Sequence, residues 1–179
     1  MIKFVKNTTM KNLLYILTFI ALFLSCDHPI TSNSDFDKGL AMFDKNKVIA
    51  NESFNLFIAK DLDGMMDLHS EDLIWSPAST TDSLSKDEFR AGMKQWMAEF
   101  DEFKFVDRQF YPGVSEDFIP NGSVRTYCTI LGTHKSGKKT VTKYYSVLEF
   151  NEDGKITADL EYFDLGGVFD QLEETQTEK

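Results

Sequence analysis

Two short turns dictate the architecture of the C-terminal half. Lys135-Ser136-Gly137 and Glu152-Asp153-Gly154 each stand between long runs rich in β-branched and aromatic residues. Each suits a three-residue hairpin loop whose final glycine takes the left-handed conformation, so Val124 to His134, Lys139 to Phe150 and Lys155 to Phe163 are expected to form an antiparallel meander. Loops of fixed length also set the register. The first turn opposes His134 to Lys138, and then Ile130 to Thr142, Cys128 to Tyr144, Thr126 to Ser146 and Val124 to Leu148. The second is expected to oppose Phe150 to Ile156, Leu148 to Ala158, Ser146 to Leu160, Tyr144 to Tyr162 and Thr142 to Asp164.

Directly opposed residues share a face, so all of these fall on one side, and Lys143, Glu149, Asp159 and Glu161 are assigned to the other. The first side reads as the interior. Val124, Leu148, Ala158, Phe150 and Ile156 make one end of it plain core, whereas Cys128, Thr142, Tyr144, Tyr162 and Asp164 make the other end partly polar. A buried carboxylate and two phenols need partners. An apolar cavity floored by converging polar groups has the composition of a small-molecule site. The alternative for Asp164 is structural: it ends the strand, caps the turn before Gly166-Gly167, or sits at the rim in water.

Upstream the period is helical. Phe36 to Lys60 carries apolar residues three or four apart, giving one long or broken amphipathic helix. Asp61 is a candidate N-cap for a short helix from Leu62 to His69, and Leu73-Ile74-Trp75 before Pro77 reads as a strand. Ser85 and Glu88 form a capping box ahead of Phe89, Met93, Trp96, Met97 and Phe100, all on one stripe. Phe103 and Phe105 then open the period-two pattern. The fold class expected is α+β.

The N-terminus reads as an address. Lys3, Lys6 and Lys11 precede Leu13 to Leu24, a run of 12 residues that is too short for a permanent span and suits a signal peptide. Ser25-Cys26 follows and resembles a bacterial lipobox, in which the cysteine is lipidated. The expected organisation is a signal peptide over 1–25, a lipid-bearing Cys26 with a tether over 26–34, and a folded domain over 35–179, placed at the cell envelope and held to the membrane by the lipid on Cys26. Removing 1–25 leaves 154 residues with 16 basic and 29 acidic side chains, net −13. Such a charge repels nucleic-acid phosphates and anionic lipid alike, so neither DNA nor RNA is an expected partner. His28, His69 and His134 share no metal-ligand spacing, and no nucleotide fingerprint occurs, so neither metal nor cofactor is expected.

Asp61-Leu62-Asp63-Gly64-Met65-Met66-Asp67-Leu68 followed by Glu71-Asp72-Leu73-Ile74-Trp75, with Asp153-Gly154-Lys155-Ile156, Tyr162-Phe163-Asp164 and Gln171-Leu172 later, resembles the nuclear transport factor 2-like superfamily, particularly its SnoaL-like branch. The resemblance covers about Val48 to Leu172. It implies a cone, a strongly curved antiparallel sheet wrapped by N-terminal helices with a pocket at the wide end, and a homodimer formed through the outer sheet face. It does not by itself imply an activity, because isomerases, cyclases and pure binding modules share the fold.

Three readings follow. The first is a lipid-anchored domain binding a small, largely apolar molecule among Trp75, Cys128, Thr142, Tyr144 and Tyr162. The second is an enzyme of the SnoaL-like or ketosteroid isomerase-like kind; by position Asp164 matches the acid of the family's terminal strand and would act as general acid or base, with Tyr144 or Tyr162 supplying the phenol. His69, near where some relatives place polar pocket groups, is explained as well by its place at a helix end. The third is a dimerising module that uses Tyr127 and Tyr145, opposed on the outer face.

Overall fold

The computed structural model describes residues 34–173. The expected signal segment 1–25 and Cys26 lie outside the described residues. Ser34, read above as the end of the tether, instead begins the first helix. The elements in chain order are α1 (Ser34–Ala59), α2 (Leu62–Asp67), β1 (His69–Ser76), α3 (Lys86–Glu99), β2 (Phe100–Val114), β3 (Pro120–His134), β4 (Lys139–Phe150), β5 (Ile156–Phe163) and α4 (Leu165–Glu173).

Local chemistry explains the helix starts. The Asp61 side chain accepts from the Gly64 N–H at 2.9 Å, and Ser85 and Glu88 form the full reciprocal capping box of α3. α2 is shorter than its pattern suggested. The Leu68 N–H closes back on the Met65 carbonyl at 3.1 Å, and His69 starts β1 rather than ending the helix. Along α1 the buried positions are Gly39, Phe43, Asn46, Ala50, Ser53, Phe54 and Phe57, which fall on one face of the helix, while Val48 is 65% exposed.

The five strands form one sheet in the order β1-β5-β4-β3-β2, open because its edge strands do not pair with each other. β2 to β5 are antiparallel and β1 joins β5 in parallel, so the sheet is mixed rather than wholly antiparallel. Both hairpin turns form as their sequence demands: Gly137 and Gly154 have φ of 83° and 78°, and their N–H groups bond the carbonyls of His134 and Asn151. Register between β3 and β4 is the expected one, with Cys128 opposite Tyr144 and Ile130 opposite Thr142.

Register between β4 and β5 departs from expectation after one pair. Phe150 does oppose Ile156, but the next partners are Glu149 with Ala158, Leu148 with Asp159, Ser146 with Glu161, Tyr145 with Tyr162 and Tyr144 with Phe163. One extra residue in β5 next to the turn is a β-bulge, and beyond it every side chain changes face. Asp159 and Glu161, expected outside, therefore point inward. Tyr162, expected inside, points outward and is 54% exposed.

The core lies between the inner sheet face and α1, α2 and α3. Its centre is Met66, Phe89, Phe100, Val124 and Ile156, each at most 2% exposed. The terminal helix α4 was not anticipated, since Gly166-Gly167 reads as a turn. It forms because the Asp164 carboxylate accepts from the Gly167 N–H at 2.8 Å and Val168 is buried.

Candidate functional site

Between the helices and the inner sheet face the packing leaves a cavity, with about 80 Å³ open to the centres of water-sized molecules. That is room for several waters or one compact organic group. Its walls are mostly apolar: Phe54 and Phe57 from α1, Met65 from α2, Met93 and Trp96 from α3, and Phe100, Phe103, Phe105, Ile130, Leu148 and Phe163 from the sheet. Val168 from α4 and Ser53, Thr140, Thr142, Tyr144, Asp159 and Glu161 complete it, and none of these lining residues is basic.

Glu161 is the hub of the polar groups. The Tyr144 hydroxyl donates to its Oε1 at 3.1 Å, and Trp75 Nε1 donates to its Oε2 at 3.2 Å. The sheet arranges this: Tyr144 is on β4, Glu161 on β5, and Trp75 on β1, where it pairs in parallel with Asp159. Asp159 lies two residues from Glu161 on the same face. It is buried, and its Oδ1 has no hydrogen-bond partner among the described residues.

Two carboxyls in an apolar wall without a cation cannot both ionise cheaply. Burial raises the Asp159 pKa well above the usual carboxylate range, and the neighbouring Glu161 charge raises it further. Glu161 is pushed up to about 7 by burial, against the opposing pull of its hydrogen bonds from Trp75 and Tyr144. The Tyr144 phenol is held well above its ordinary value by burial first, then by Glu161 and Asp159. The pair thus sets an Asp159 that resists ionisation beside a Glu161 whose own pKa is raised toward neutrality.

Of the residues singled out from sequence, Thr142 and Tyr144 line this cavity. Cys128 packs behind it against Phe54 and Tyr144, its thiol raised to about 11 by burial. Trp75 is buried and reaches the site through its indole N–H. Tyr162 stacks on Tyr145 on the outer face, and Asp164 is exposed as the cap of α4. His69 is 2% exposed; its Nδ1 is 2.8 Å from the Met65 carbonyl and its ring lies beside Phe89. Asp159 and Glu161 were absent from the sequence-based site. Their alternation with Leu160 and Tyr162 is a signal, but the bulge decides which set faces in. Among the described residues no cluster of three or more His, Cys, Asp or Glu side chains is arranged to hold a metal ion.

Comparison with solved structures finds the same fold repeatedly. An inferred isomerase from Bacillus subtilis superimposes with a TM-score of 0.62 at 18% identity, covering 75% of this chain and 96% of that one. An inferred polyketide cyclase from Xanthomonas campestris gives 0.62 at 13% identity, covering 74% and 99%. AusH from Aspergillus nidulans gives 0.58 at 20% identity, covering 68% and 85%. At such identities the likeness establishes the fold alone. No curated protein matches the chain in sequence. The SnoaL-like domain family matches residues 50–158, from the middle of α1 into β5 and across most of the cavity wall. With its curved, open five-stranded sheet and wrapping helices, the chain belongs to the SnoaL-like family of the nuclear transport factor 2-like superfamily.

Proposed function

We propose that the domain binds a small, largely apolar carbonyl compound in this cavity and moves a proton on it, as an isomerase or cyclase of the SnoaL-like kind. The observation that carries this reading is the Glu161 carboxylate, held by Tyr144 and Trp75 beside Asp159, whose Oδ1 has no partner among the described residues, in a mostly apolar cavity. Glu161 takes a proton from the carbon next to the carbonyl. The C–H electron pair becomes the enolate π bond, and the carbonyl oxygen takes the charge. Protonated Asp159 donates a hydrogen bond to that oxygen; where the substrate carries a β,γ double bond the product is a dienolate, and return of the proton to its γ-carbon, with the double bond moving into conjugation, completes an isomerisation. The isomerase and cyclase neighbours share the fold in which such a site is built. The acid given to Asp164 by position alone thus passes to Glu161, because Asp164 caps α4.

The test is deuterium exchange at the α-carbons of 4-phenylbutan-2-one in D2O, followed by proton NMR. Exchange above the buffer rate is expected, rising with pH through about 7 as Glu161 ionises. Glu161→Gln is expected to lower it at least 100-fold, the ordinary scale of general-base catalysis. Asp164→Asn is expected to leave it within threefold. Exchange at the buffer rate, or equal rates in wild type and Glu161→Gln, would sink the reading.

A second reading concerns assembly. Tyr111, Tyr127, Tyr145 and Tyr162 form a ladder across β2 to β5 on the outer face, with centroids 5.8, 4.7 and 5.5 Å apart. Such an exposed aromatic band supports self-association through this face.

A further inference from the structure

The outer face of the sheet carries a charge that the fold leaves unanswered. The chain has three arginines. Arg90 pairs with Asp63 at 2.7 Å, and Arg108 donates to Asn51 and Asn55 at 2.8 and 2.9 Å. Arg125 is held by no hydrogen bond or ion pair among the described residues, although it is half-buried and its Nε is shut off from water. A guanidinium nitrogen buried without a partner is destabilising, and here it stands in a chain whose 29 acidic side chains outnumber the 19 basic ones.

Strand register places this side chain. On β3, Arg125 stands directly opposite Tyr111 of β2 and Val147 of β4, and the neighbouring row on the same face is Gln109, Tyr127, Tyr145 and Tyr162. At the β2 end of these two rows lies a shallow hollow with about 470 Å³ open by the same measure as the cavity, lined by Gln109, Tyr111, Pro112, Arg125 and Tyr127. Arg125 is the one charged side chain of the five. The Tyr111 hydroxyl donates to Gln109 Oε1 at 2.9 Å, which leaves the Gln109 amide N–H groups as donors. The Tyr111 and Tyr127 rings stand at 77° to each other, and Pro112 adds a third apolar wall.

Donors without an acceptor suit an anion, and charge and shape select which one. A single guanidinium balances a single negative charge, its planar fork matches a carboxylate, and the chain's net charge of −10 repels a polyanion. We propose that the hollow binds a small organic monocarboxylate with a flat, apolar body. Arg125 takes the carboxylate, Gln109 donates a further hydrogen bond, and the body lies against Tyr111, Tyr127 and Pro112. The site is independent of the proton-transfer reading, whose acid pair is on the other face of the sheet. It shares Tyr111 and Tyr127 with the tyrosine ladder, so a second copy seated on that ladder would compete for it.

Titration of the full chain with phenylacetate, followed by calorimetry and by the arginine Nε–H signals in proton–nitrogen correlation NMR, tests the proposal. Phenylacetate is expected to shift the Arg125 Nε–H signal, identified by its absence in Arg125→Lys, and to leave those of Arg90 and Arg108 in place. The uncharged phenylacetamide is expected to bind at least tenfold more weakly, because it offers no charge-assisted pair. Arg125→Gln should bring the two affinities within threefold of each other, and Arg125→Lys, which keeps the charge but not the fork, should retain only part of the difference. An Arg125 signal that phenylacetate does not move, or a preference for phenylacetate that survives Arg125→Gln, overturns the site. Sedimentation of wild type and Arg125→Gln covers the competing occupant: a mass halved by the substitution, with no phenylacetate shift in the wild type, overturns the carboxylate site and gives Arg125 to the contact between copies.

Discussion

Glu161 accepts hydrogen bonds from a phenol and an indole, yet its pKa rises to about 7. Desolvation therefore outweighs the two donors. The consequence for stability has a definite sign. Between pH 4.5, where an exposed Glu titrates, and about 7, the unfolded chain has released this proton while the folded protein keeps it, so stability falls as pH rises through that window. At about 1.4 kcal/mol per pKa unit, the cost is on the order of 3 kcal/mol above pH 7. Urea unfolding should accordingly find Glu161→Gln more stable than wild type at pH 8 and nearly equal at pH 4; equal stability at both would remove the claim of a desolvated carboxyl. His69 works in the opposite direction. Burial lowers it from 6.5 to about 4, so the unfolded chain takes up a proton that the folded protein refuses, and stability is lost as pH falls through that range. An NMR titration should find the His69 ring protonating near pH 4; a midpoint near 6.5 would contradict its burial as the neutral form. At this scale Tyr144 and Thr142 were legible because the first hairpin loop fixes their register. Asp159 and Glu161 were not, since a strand with acids on one face and Leu160 and Tyr162 on the other reads equally well either way up.

The element that settles that ambiguity is the bulge at the start of β5. It is a local backbone event with no Gly or Pro to mark it in Ile156-Thr157-Ala158, and the residue it inserts reverses the faces of the rest of the strand. β1 was legible only as a strand. Its parallel pairing with β5, which brings Trp75 level with Asp159, depends on α3 and three intervening strands that local pattern does not order. Gly92 on α3 is the companion to that placement: a Cβ there would lie 2.7 Å from the Trp75 ring. Gly92→Ala should push the indole away and weaken its bond to Glu161. The expected result is a shifted tryptophan emission and a stability loss of about 1–3 kcal/mol from overpacking; unchanged emission would show that Trp75 has room to spare. α4 is secured differently. Gln171 accepts from the Val141 N–H at 2.8 Å and donates to its carbonyl at 3.2 Å, so a side-chain amide takes the place of a strand on β4 beyond the end of β5. Gln171→Ala should speed hydrogen exchange at Val141 by tenfold or more while Leu148, paired with Asp159, stays protected; unchanged exchange at Val141 would mean the amide is not its protection.

For the molecule as a whole, the inner and outer faces of one sheet differ in chemistry. The inner face carries the acid pair, and the outer face carries the tyrosine ladder, with Tyr127 and Tyr162 45% and 54% exposed. The assembly reading predicts that Tyr127→Lys/Tyr145→Lys sediments at half the mass of wild type; identical masses would end it. Anchoring through Cys26 is likewise a proposal, supported by the order of lysines, apolar run and Ser25-Cys26. Cys26→Ala should release the protein from the membrane fraction of the producing cells, and retention there would refute it. The central claim, though, is that two carboxyls share an apolar cavity near neutral pH. Carbon-detected NMR of the side-chain carboxyls across pH 3 to 9 addresses it directly. The account predicts that Glu161 titrates near 7 and that Asp159 keeps its proton well above the ordinary carboxylate range, both signals shifting when Trp75→Phe removes the indole N–H. Titration of both groups near 4, with Trp75→Phe silent, would contradict it.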